Sequence, residues 1–270
     1  MSCGWADLLR RRAHGFGLAG LLIAGLPSSN AATPITALAF SPDSRTLVSA
    51  GPRRITVHTL DSSPSNRHLQ TDLPKISAVA FFPRPSGLWL AVAGGTPGVS
   101  GVTLLFSPED GREQSRLTHP GDTDAAVAID PTGARMAIAG DGPVRLYALD
   151  NGTPRAVGTL AGHVGRVLGA AFSPDGAQLV TVGRDRSVKV WSVATATLVR
   201  SFNHHTEAVH AVAFRPAIDG VTAPQACATG GDDRTVRVWQ PAIGRMVRII
   251  RGHERSEERR VGKEGRSRWS

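Results

Sequence analysis

A short motif recurs five times along this 270-residue chain and limits it to a repeat architecture. Each copy is an apolar run that leads into a turn containing Pro, most often with Asp or Gly. The copies are ALAFSPDS (37–44), AVAFFPRP (78–85), AVAIDPTG (126–133), GAAFSPDG (169–176) and AVAFRPAI (211–218). Their prolines lie 41, 48, 43 and 42 residues apart, at Pro42, Pro83, Pro131, Pro174 and Pro216. This period predicts a row of similar structural units, each packed on its neighbours.

Further strand-like segments follow each motif. The second segments include TLVSAG and QLVTVGR, the third include RITVHTL, VKVWSV and VRVWQP, and a weaker fourth is TLVRSFNHH. Alternating apolar residues and many β-branched side chains indicate strands rather than helices. The 30 Gly and 18 Pro supply the turns that many short strands need. Four antiparallel strands in every 40–45 residues are typical of β-propeller blades, so we predict an all-β fold with five complete four-stranded blades.

The best-defined repeats resemble the WD-repeat (WD40) family. The resemblance rests on LAGH (160–163), FSPDG (172–176), GRDRSVKVW (183–191), GDDRTVRVW (231–239) and the final RGH (251–253). Repeats four and five match closely, whereas repeats one to three match by strand pattern and turn alone. The Asp that gives the family its name is replaced after each third-strand aromatic, in Trp191-Ser192, Trp239-Gln240 and Tyr147-Ala148. The resemblance implies a propeller that closes with seven or eight blades, so the five blades are expected to be a truncated fragment.

The N-terminus has the three parts of a secretory signal peptide. Arg10, Arg11 and Arg12 precede an apolar run from Gly17 to Leu26, and the small residues of Ser29-Asn30-Ala31 follow. The apolar run is too short to span a bilayer. We therefore expect residues 1–31 to be removed and the mature protein to be exported, to the periplasm or the extracellular space, with no membrane attachment. A retained anchor or a wrongly chosen start codon is the alternative.

Residues 255–270 differ from the rest of the chain. They hold six Arg or Lys and three Glu without apolar periodicity, which is typical of a disordered charged tail. They also resemble the translation of a sequencing-library adapter, so we expect the tail to be non-native and the gene to be interrupted after Glu254. The remaining residues, 32–254, form the predicted propeller. Its blades are expected at about 34–74, 75–122, 123–159, 160–202 and 203–250.

The family resemblance also implies a structural tetrad in two blades. Its members are His163, Thr181, Asp185 and Trp191 in blade four, and His205, Thr229, Asp233 and Trp239 in blade five. In the expected network the indole N–H donates to the threonine oxygen, the threonine hydroxyl donates to histidine, and histidine donates to aspartate. The alternative is a hydrolytic triad of Thr, His and Asp. Repetition of the same set favours structure over catalysis, and neither Thr lies on a nucleophile turn.

Other sites are not indicated by the sequence. His204 and His205 are adjacent, so on a strand they would point to opposite faces and could not bind one metal together. Asp232 and Asp233 lack the oxygen-rich loop of a calcium site. Haem and phosphate-loop motifs are absent from the sequence. We therefore expect no enzyme activity, no metal and no cofactor.

Partner binding is expected on the propeller face. Related propellers bind through residues beside the first-strand valine and just before the turn aspartate. By position these are Lys75, Ser77, Arg166, Leu168, Ala208 and His210, together with Arg184 and Asp232. Ordinary solvated loop ends are the alternative interpretation of these positions.

Charge argues against a nucleic-acid partner. The formal net charge is +9, of which residues 1–31 carry +2 and the tail +3, leaving +4 on residues 32–254. No basic stripe with interleaved aromatics is present. The sequence thus favours a non-catalytic scaffold that binds a peptide or protein. The alternative is an accessory or sensor part of a larger exported enzyme, for example a redox protein whose catalytic domain is missing.

Overall fold

The computed structural model describes residues 34–60, 65–84, 87–150, 153–216 and 224–252. The expected signal peptide and the expected charged tail both lie outside these ranges. Every regular element in the described ranges is a strand, and these strands form five separate four-stranded antiparallel sheets. This arrangement confirms the all-β, propeller-type prediction. No helix in the described part of the chain has the length and apolar content that crossing a membrane requires.

Each sheet is a meander in which consecutive strands pair, and we refer to the sheets as blades one to five. Blade one contains β1 (Ala37–Phe40), β2 (Thr46–Gly51), β3 (Arg54–Thr59) and β4 (Asn66–Gln70). Blade two contains β5 (Lys75–Arg84), β6 (Gly87–Thr96), β7 (Ser100–Phe106) and β8 (Glu113–Pro120). Blade three contains β9 (Ala126–Ile129), β10 (Arg135–Ala139), β11 (Val144–Ala148) and β12 (Arg155–Leu160). Blade four contains β13 (Val167–Phe172), β14 (Gln178–Gly183), β15 (Val188–Ser192) and β16 (Thr197–Phe202). Blade five contains β17 (Val209–Phe214), β18 (Cys227–Gly231), β19 (Val236–Gln240) and β20 (Arg245–Ile250).

The core lies between the blades. Each of four apolar clusters joins two consecutive sheets, because alternate residues of a strand point to opposite neighbours. Val188 and Val190 of β15, for example, pack with Trp239 of blade five. First strands contact first strands from blade to blade, so β1, β5, β9, β13 and β17 line one side of the row.

Arginines fasten each blade to the next. In each case a guanidinium donates to a backbone carbonyl just after the third strand of the following sheet. The pairs are Arg67 to Pro108 (3.1 Å), Arg84 to Leu149, Arg135 to Val193 (3.2 Å) and Arg200 to Ala242 (3.2 Å). The same type of link at all four junctions gives every pair of blades a polar contact in addition to its apolar cluster.

Bulges interrupt the pairing of first and fourth strands. In three first strands the register with the second strand shifts at one residue; these residues are Ser77, Leu168 and His210. Four fourth strands contain a similar extra residue, namely Gln114, Val157, Val199 and Val247. A bulge bends the strand and re-aims the side chains beside it.

Candidate functional site

In blade four the structure brings His163, Thr181, Asp185 and Trp191 into one hydrogen-bonded chain. The Trp191 indole N–H donates to Thr181 Oγ1 (2.8 Å), and the hydroxyl of Thr181 lies 2.7 Å from His163 Nε2. His163 Nδ1 lies 2.9 Å from Asp185 Oδ2. Because the carboxylate of Asp185 can only accept, the proton of His163 lies on Nδ1 and donates to Asp185, and Nε2 accepts from the hydroxyl of Thr181.

Burial keeps this histidine neutral, whereas hydrogen bonds keep this aspartate charged. Desolvation lowers the pKa of His163 below its ordinary value despite the nearby carboxylate. Burial alone would raise the pKa of Asp185, but hydrogen bonds from the Ser187 hydroxyl and the Val164 N–H, with the charge effect of His163, lower it overall. Asp185 thus accepts hydrogen bonds from the side chains of His163 and Ser187 and from the backbone N–H groups of Val164 and Ser187.

Blade five repeats the arrangement. Trp239 Nε1 donates to Thr229 Oγ1 (2.8 Å), which lies 2.9 Å from His205 Nε2, and His205 Nδ1 lies 2.8 Å from Asp233 Oδ2. Burial again lowers the pKa of the histidine. Blade five differs from blade four in one respect: the guanidinium of Arg237 lies 3.5 Å from the carboxylate of Asp233.

Both threonines are inaccessible to a substrate. Thr181 is 0% exposed and Thr229 is 1% exposed, and each hydroxyl is shared between an indole and an imidazole. A nucleophile needs a free approach to the reacting atom and a nearby oxyanion site. These two sets therefore hold the geometry of their blades, and hydrolysis by them is not supported.

A third buried network joins blades two and three, and the sequence patterns did not indicate it. Tyr147 occupies the third-strand aromatic position, but Ile138 occupies the position of the threonine. The Tyr147 hydroxyl instead lies 2.8 Å from Nε2 of His119 on β8, and His119 Nδ1 lies 3.3 Å from Asp124. Thr103 donates to the same carboxylate at 2.8 Å. The available signal was the single tyrosine of the chain, because a buried phenol requires a polar partner.

We use the term loop face for the end of the sheets where first strands begin and second strands turn into third strands. All eight predicted partner-binding residues lie there, and three of them are the bulged residues of their first strands. Leu168 is half-buried, the His210 side chain is 27% exposed, and Ser77 is half-buried with a buried hydroxyl oxygen that has no hydrogen-bond partner among the described residues. Lys75 and Arg184 are exposed, whereas Ala208 is half-buried and its carbonyl accepts from Asp232.

The side chains at three of these positions make contacts within the chain. The Arg166 side chain, only 11% exposed, pairs with Asp122 and donates to the hydroxyl and carbonyl of Thr123, so it fastens blade four to the loop before blade three. His210 Nε2 lies 2.8 Å from Asp232. Arg166 thus has an observed structural role, and the remaining positions are left as candidates for partner contact.

Metal binding has no support in the described ranges, where no group of three or more His, Cys, Asp or Glu side chains is placed to hold an ion. His204 is exposed and lies edge-on to the Trp239 ring, whereas His205 is buried in the blade-five network.

Comparison with protein families agrees with this geometry. The model for "WD domain, G-beta repeat" matches residues 23–58, 154–192 and 196–240. The chain contains WD repeats. It is 33% identical over 133 residues to an uncharacterized WD repeat-containing protein of Synechocystis, a match that covers 49% of this chain and 36% of the relative.

Two further relatives are proteins of eukaryotes. WD repeat-containing protein 1 of Xenopus tropicalis is 38% identical over 30% of this chain and 14% of the relative. The target of rapamycin complex subunit LST8 of Saccharomyces cerevisiae is 34% identical over 26% of this chain and 23% of the relative. The chain therefore spans much less than two thirds of the length of each of these relatives.

The matched WD repeats do not coincide with single blades. Residues 154–192 run from β12 to β15, and residues 196–240 run from β16 to β19. Each of these two repeats thus begins on the fourth strand of one blade and ends on the third strand of the next. A WD repeat in this chain is consequently a covalent link between two neighbouring sheets. Blades two and three, which contain the Tyr147 network, fall mainly outside the matched segments.

Proposed function

We propose that this WD-repeat protein is a non-catalytic scaffold that binds a peptide segment of another protein at the loop face. The observation that carries the proposal is the recurrence of a bulge at the same point of three first strands. Each bulge takes Ser77, Leu168 or His210 out of the regular register with the second strand and so re-aims its side chain. Bulges of this kind are common beside functional sites.

The chemistry of the loop face suits a peptide. It combines the exposed cations Lys75 and Arg184 with the half-buried apolar side chain of Leu168 and the pair of His210 and Asp232. A mixed surface of this sort can pair with side chains of both signs and can accept hydrogen bonds from a backbone. The rigid blades behind it would hold these groups in fixed positions, which lowers the entropic cost of binding.

One relative supports the same class of function. The yeast protein is named as a subunit of a complex, so at least one similar protein assembles with others. This chain covers only 23% of that relative, so the identity of any partner does not transfer.

Peptide selection tests the proposal. The purified full chain is panned against a random twelve-residue peptide library, and enriched peptides are titrated by fluorescence anisotropy. We expect Leu168→Ala and Arg184→Ala to weaken binding by about tenfold, as truncation of an anchor residue does. Arg248→Ala, which removes an exposed arginine from β20, is the matched control and should leave the affinity unchanged. Failure to enrich any peptide, or equal binding by all three variants, would refute the proposal.

We also propose that the protein acts after export. The proposal is supported by the basic cluster Arg10–Arg12, the apolar run 17–26 and the small residues before position 32. N-terminal sequencing of the protein expressed in a bacterial host should find a mature start near Ala32 in the periplasmic or secreted fraction. An intact Met1 in the cytoplasmic fraction would contradict it.

A further inference from the structure

A cleft of about 510 Å³ opens on the loop face of blade four. Its walls come from the segment before β13, the turn between β14 and β15, the start of β15 and the segment before β17. The lining residues are Gly162, Val164, 185–187, Lys189 and 203–206. The cleft thus lies beside the blade-four tetrad but does not include its buried threonine.

A buried lysine lines this cleft. Lys189 on β15 is 9% exposed, and Nζ donates to Ser201 Oγ at 3.0 Å. No carboxylate in the described ranges lies within salt-bridge distance of it, although an ammonium group can donate three hydrogen bonds. A buried charge normally has a partner of opposite charge. Lys189 is therefore a cation whose partner is not provided by the described part of this chain.

Blade five shows how the same position behaves when its charge is paired. Arg237 occupies the place of Lys189, since each is the strand neighbour of the tetrad threonine. Arg237 reaches Asp233 (3.5 Å) and Thr235 (3.2 Å) within its own blade. Asp185 in blade four accepts from His163, Val164 and Ser187, as Asp233 in blade five accepts from His205, Thr206 and Thr235. The two blades therefore differ in the cation: Arg237 lies within ion-pair distance of its aspartate, whereas Lys189 donates to Ser201 and lines the cleft.

The rim of the cleft adds a second cation and apolar surface. Arg186 is exposed, with a positive φ of 65°, and its guanidinium lies 3.5 Å from the carbonyl of Thr206 on the opposite wall. Val164 is 85% exposed, and His204 also lines the cleft. Two cations against the single carboxylate of Asp185 leave one positive charge to be neutralised.

We propose that this cleft binds the carboxylate side chain of an Asp or Glu in a partner peptide, with Lys189 as its ion-pair partner and Arg186 as a second contact at the rim. The inference rests on the proposed function, because it names the chemistry of one peptide position on the loop face. A carboxylate matches the one uncompensated positive charge, whereas a phosphate group brings nearly two negative charges. The exposed Val164 provides a contact for the aliphatic part of such a side chain.

The test uses the full chain labelled with ¹⁵N and a blocked hexaglutamate peptide as the probe, with hexaglutamine as the uncharged control. We expect saturable shifts at the amides of 185–189 and 203–206 with hexaglutamate alone. Lys189→Met should weaken this binding by about tenfold, and Arg186→Gly, which also suits the positive φ, by about threefold. Arg248→Met removes a charge far from the cleft in sequence and should change affinity by less than about twofold.

The variants remain informative if one of them folds poorly. Replacing a buried cation by an apolar residue of similar size is often tolerated, and Lys189→Gln keeps a hydrogen-bond donor for Ser201 if Lys189→Met is unstable. Equal affinities for Lys189→Gln, Lys189→Met and Arg248→Met would overturn the inference, as would shifts confined to other blades. Preferential binding of inorganic phosphate or of a phosphoserine peptide at these amides would overturn the assignment to a carboxylate.

The two proposals fail separately. If the library peptides require Leu168 and Arg184 but hexaglutamate binding does not depend on Lys189, the scaffold function is supported and the carboxylate site in the cleft is refuted. Hexaglutamate binding that depends on Lys189, with no library peptide enriched, would retain an anion site and remove the peptide-binding function.

Discussion

Replacing Thr181 by valine isolates the polar contribution of the blade-four tetrad. Valine has nearly the shape of threonine and suits a strand, so packing is conserved while the hydroxyl is lost. That hydroxyl is the only group that joins the Trp191 indole (2.8 Å) to His163 Nε2 (2.7 Å). Trp191 is 1% exposed and Thr181 is 0% exposed, so water cannot replace the lost partner without disturbing the core.

The magnitude follows from the number of groups left unpaired. An unsatisfied buried polar group costs about 1–3 kcal/mol, and here the indole N–H and the imidazole nitrogen both lose their partner. Allowing for the apolar methyl that replaces the hydroxyl, we expect Thr181→Val to lower the free energy of unfolding by about 2–4 kcal/mol. Thr229→Val should cost a similar amount, because its network has the same connections.

Urea unfolding followed by tryptophan fluorescence measures this loss. Thr159→Val on β12 is the matched control, since that threonine is exposed, and it should change stability by less than about 0.5 kcal/mol. A double-mutant cycle with Trp191→Phe should show that the cost of Thr181→Val falls by about 1 kcal/mol or more once the indole N–H is gone. A Thr181→Val variant as stable as Thr159→Val, or a cycle with no coupling, would refute the argument that the hydroxyl is a shared partner.

Three other predictions concern the same elements. Asp185→Ala should destabilise the protein by about 1–3 kcal/mol in urea, because it leaves His163 and two backbone N–H groups without an acceptor; an unchanged unfolding midpoint would contradict this. Burial lowers the pKa of His163 and His205 below the ordinary 6.5, so the unfolded chain binds protons that the folded chain does not. The free energy of unfolding should therefore decrease as the pH falls below about 6.5, and His163→Asn should flatten this dependence in urea titrations between pH 5 and 7. Burial also raises the pKa of Cys227 to about 12, so at pH 8 only about one thiol in ten thousand is ionised. Iodoacetamide should leave Cys227 unmodified in the folded protein and modify it in urea, as measured by peptide mass spectrometry.

The blades and their two tetrads could be predicted because their determinants are local. Asp185 and Trp191 belong to one turn and the strand that follows it, and the same six-residue spacing recurs at Asp233 and Trp239. The strand pattern recurs with the turn motif, so the period alone defined the sheets.

The Tyr147 network could not be predicted in the same way. Its members come from strands of two different blades and from the loop between them, and no fixed spacing connects His119 with Tyr147. The threonine position is occupied by Ile138, so the family pattern gives no indication of a polar partner there.

Arg166 illustrates a second limit. Its position in the repeat suggests a partner-binding residue, but its guanidinium is held by Asp122 and Thr123 in the loop before blade three. A surface arginine is available to a partner only if neighbouring loops place no carboxylate beside it. This depends on the tertiary structure and not on the repeat pattern. Arg237 and Lys189 illustrate the same limit. Asp185 and Asp233 accept equivalent hydrogen bonds within their blades, yet Arg237 lies 3.5 Å from Asp233 whereas Lys189 donates to Ser201.

The bulges of the fourth strands have a consequence for the form in which a partner binds. An extended peptide can add to a sheet only where the edge strand offers an uninterrupted row of N–H and C=O groups. Val157, Val199 and Val247 break that row in blades three, four and five, and each is exposed at the break. The outer edges of these blades are thus poor templates for an incoming strand, which also protects them from self-association. A partner that binds at the loop face as proposed would accordingly be selected by its side chains, and it would not need to adopt an extended conformation.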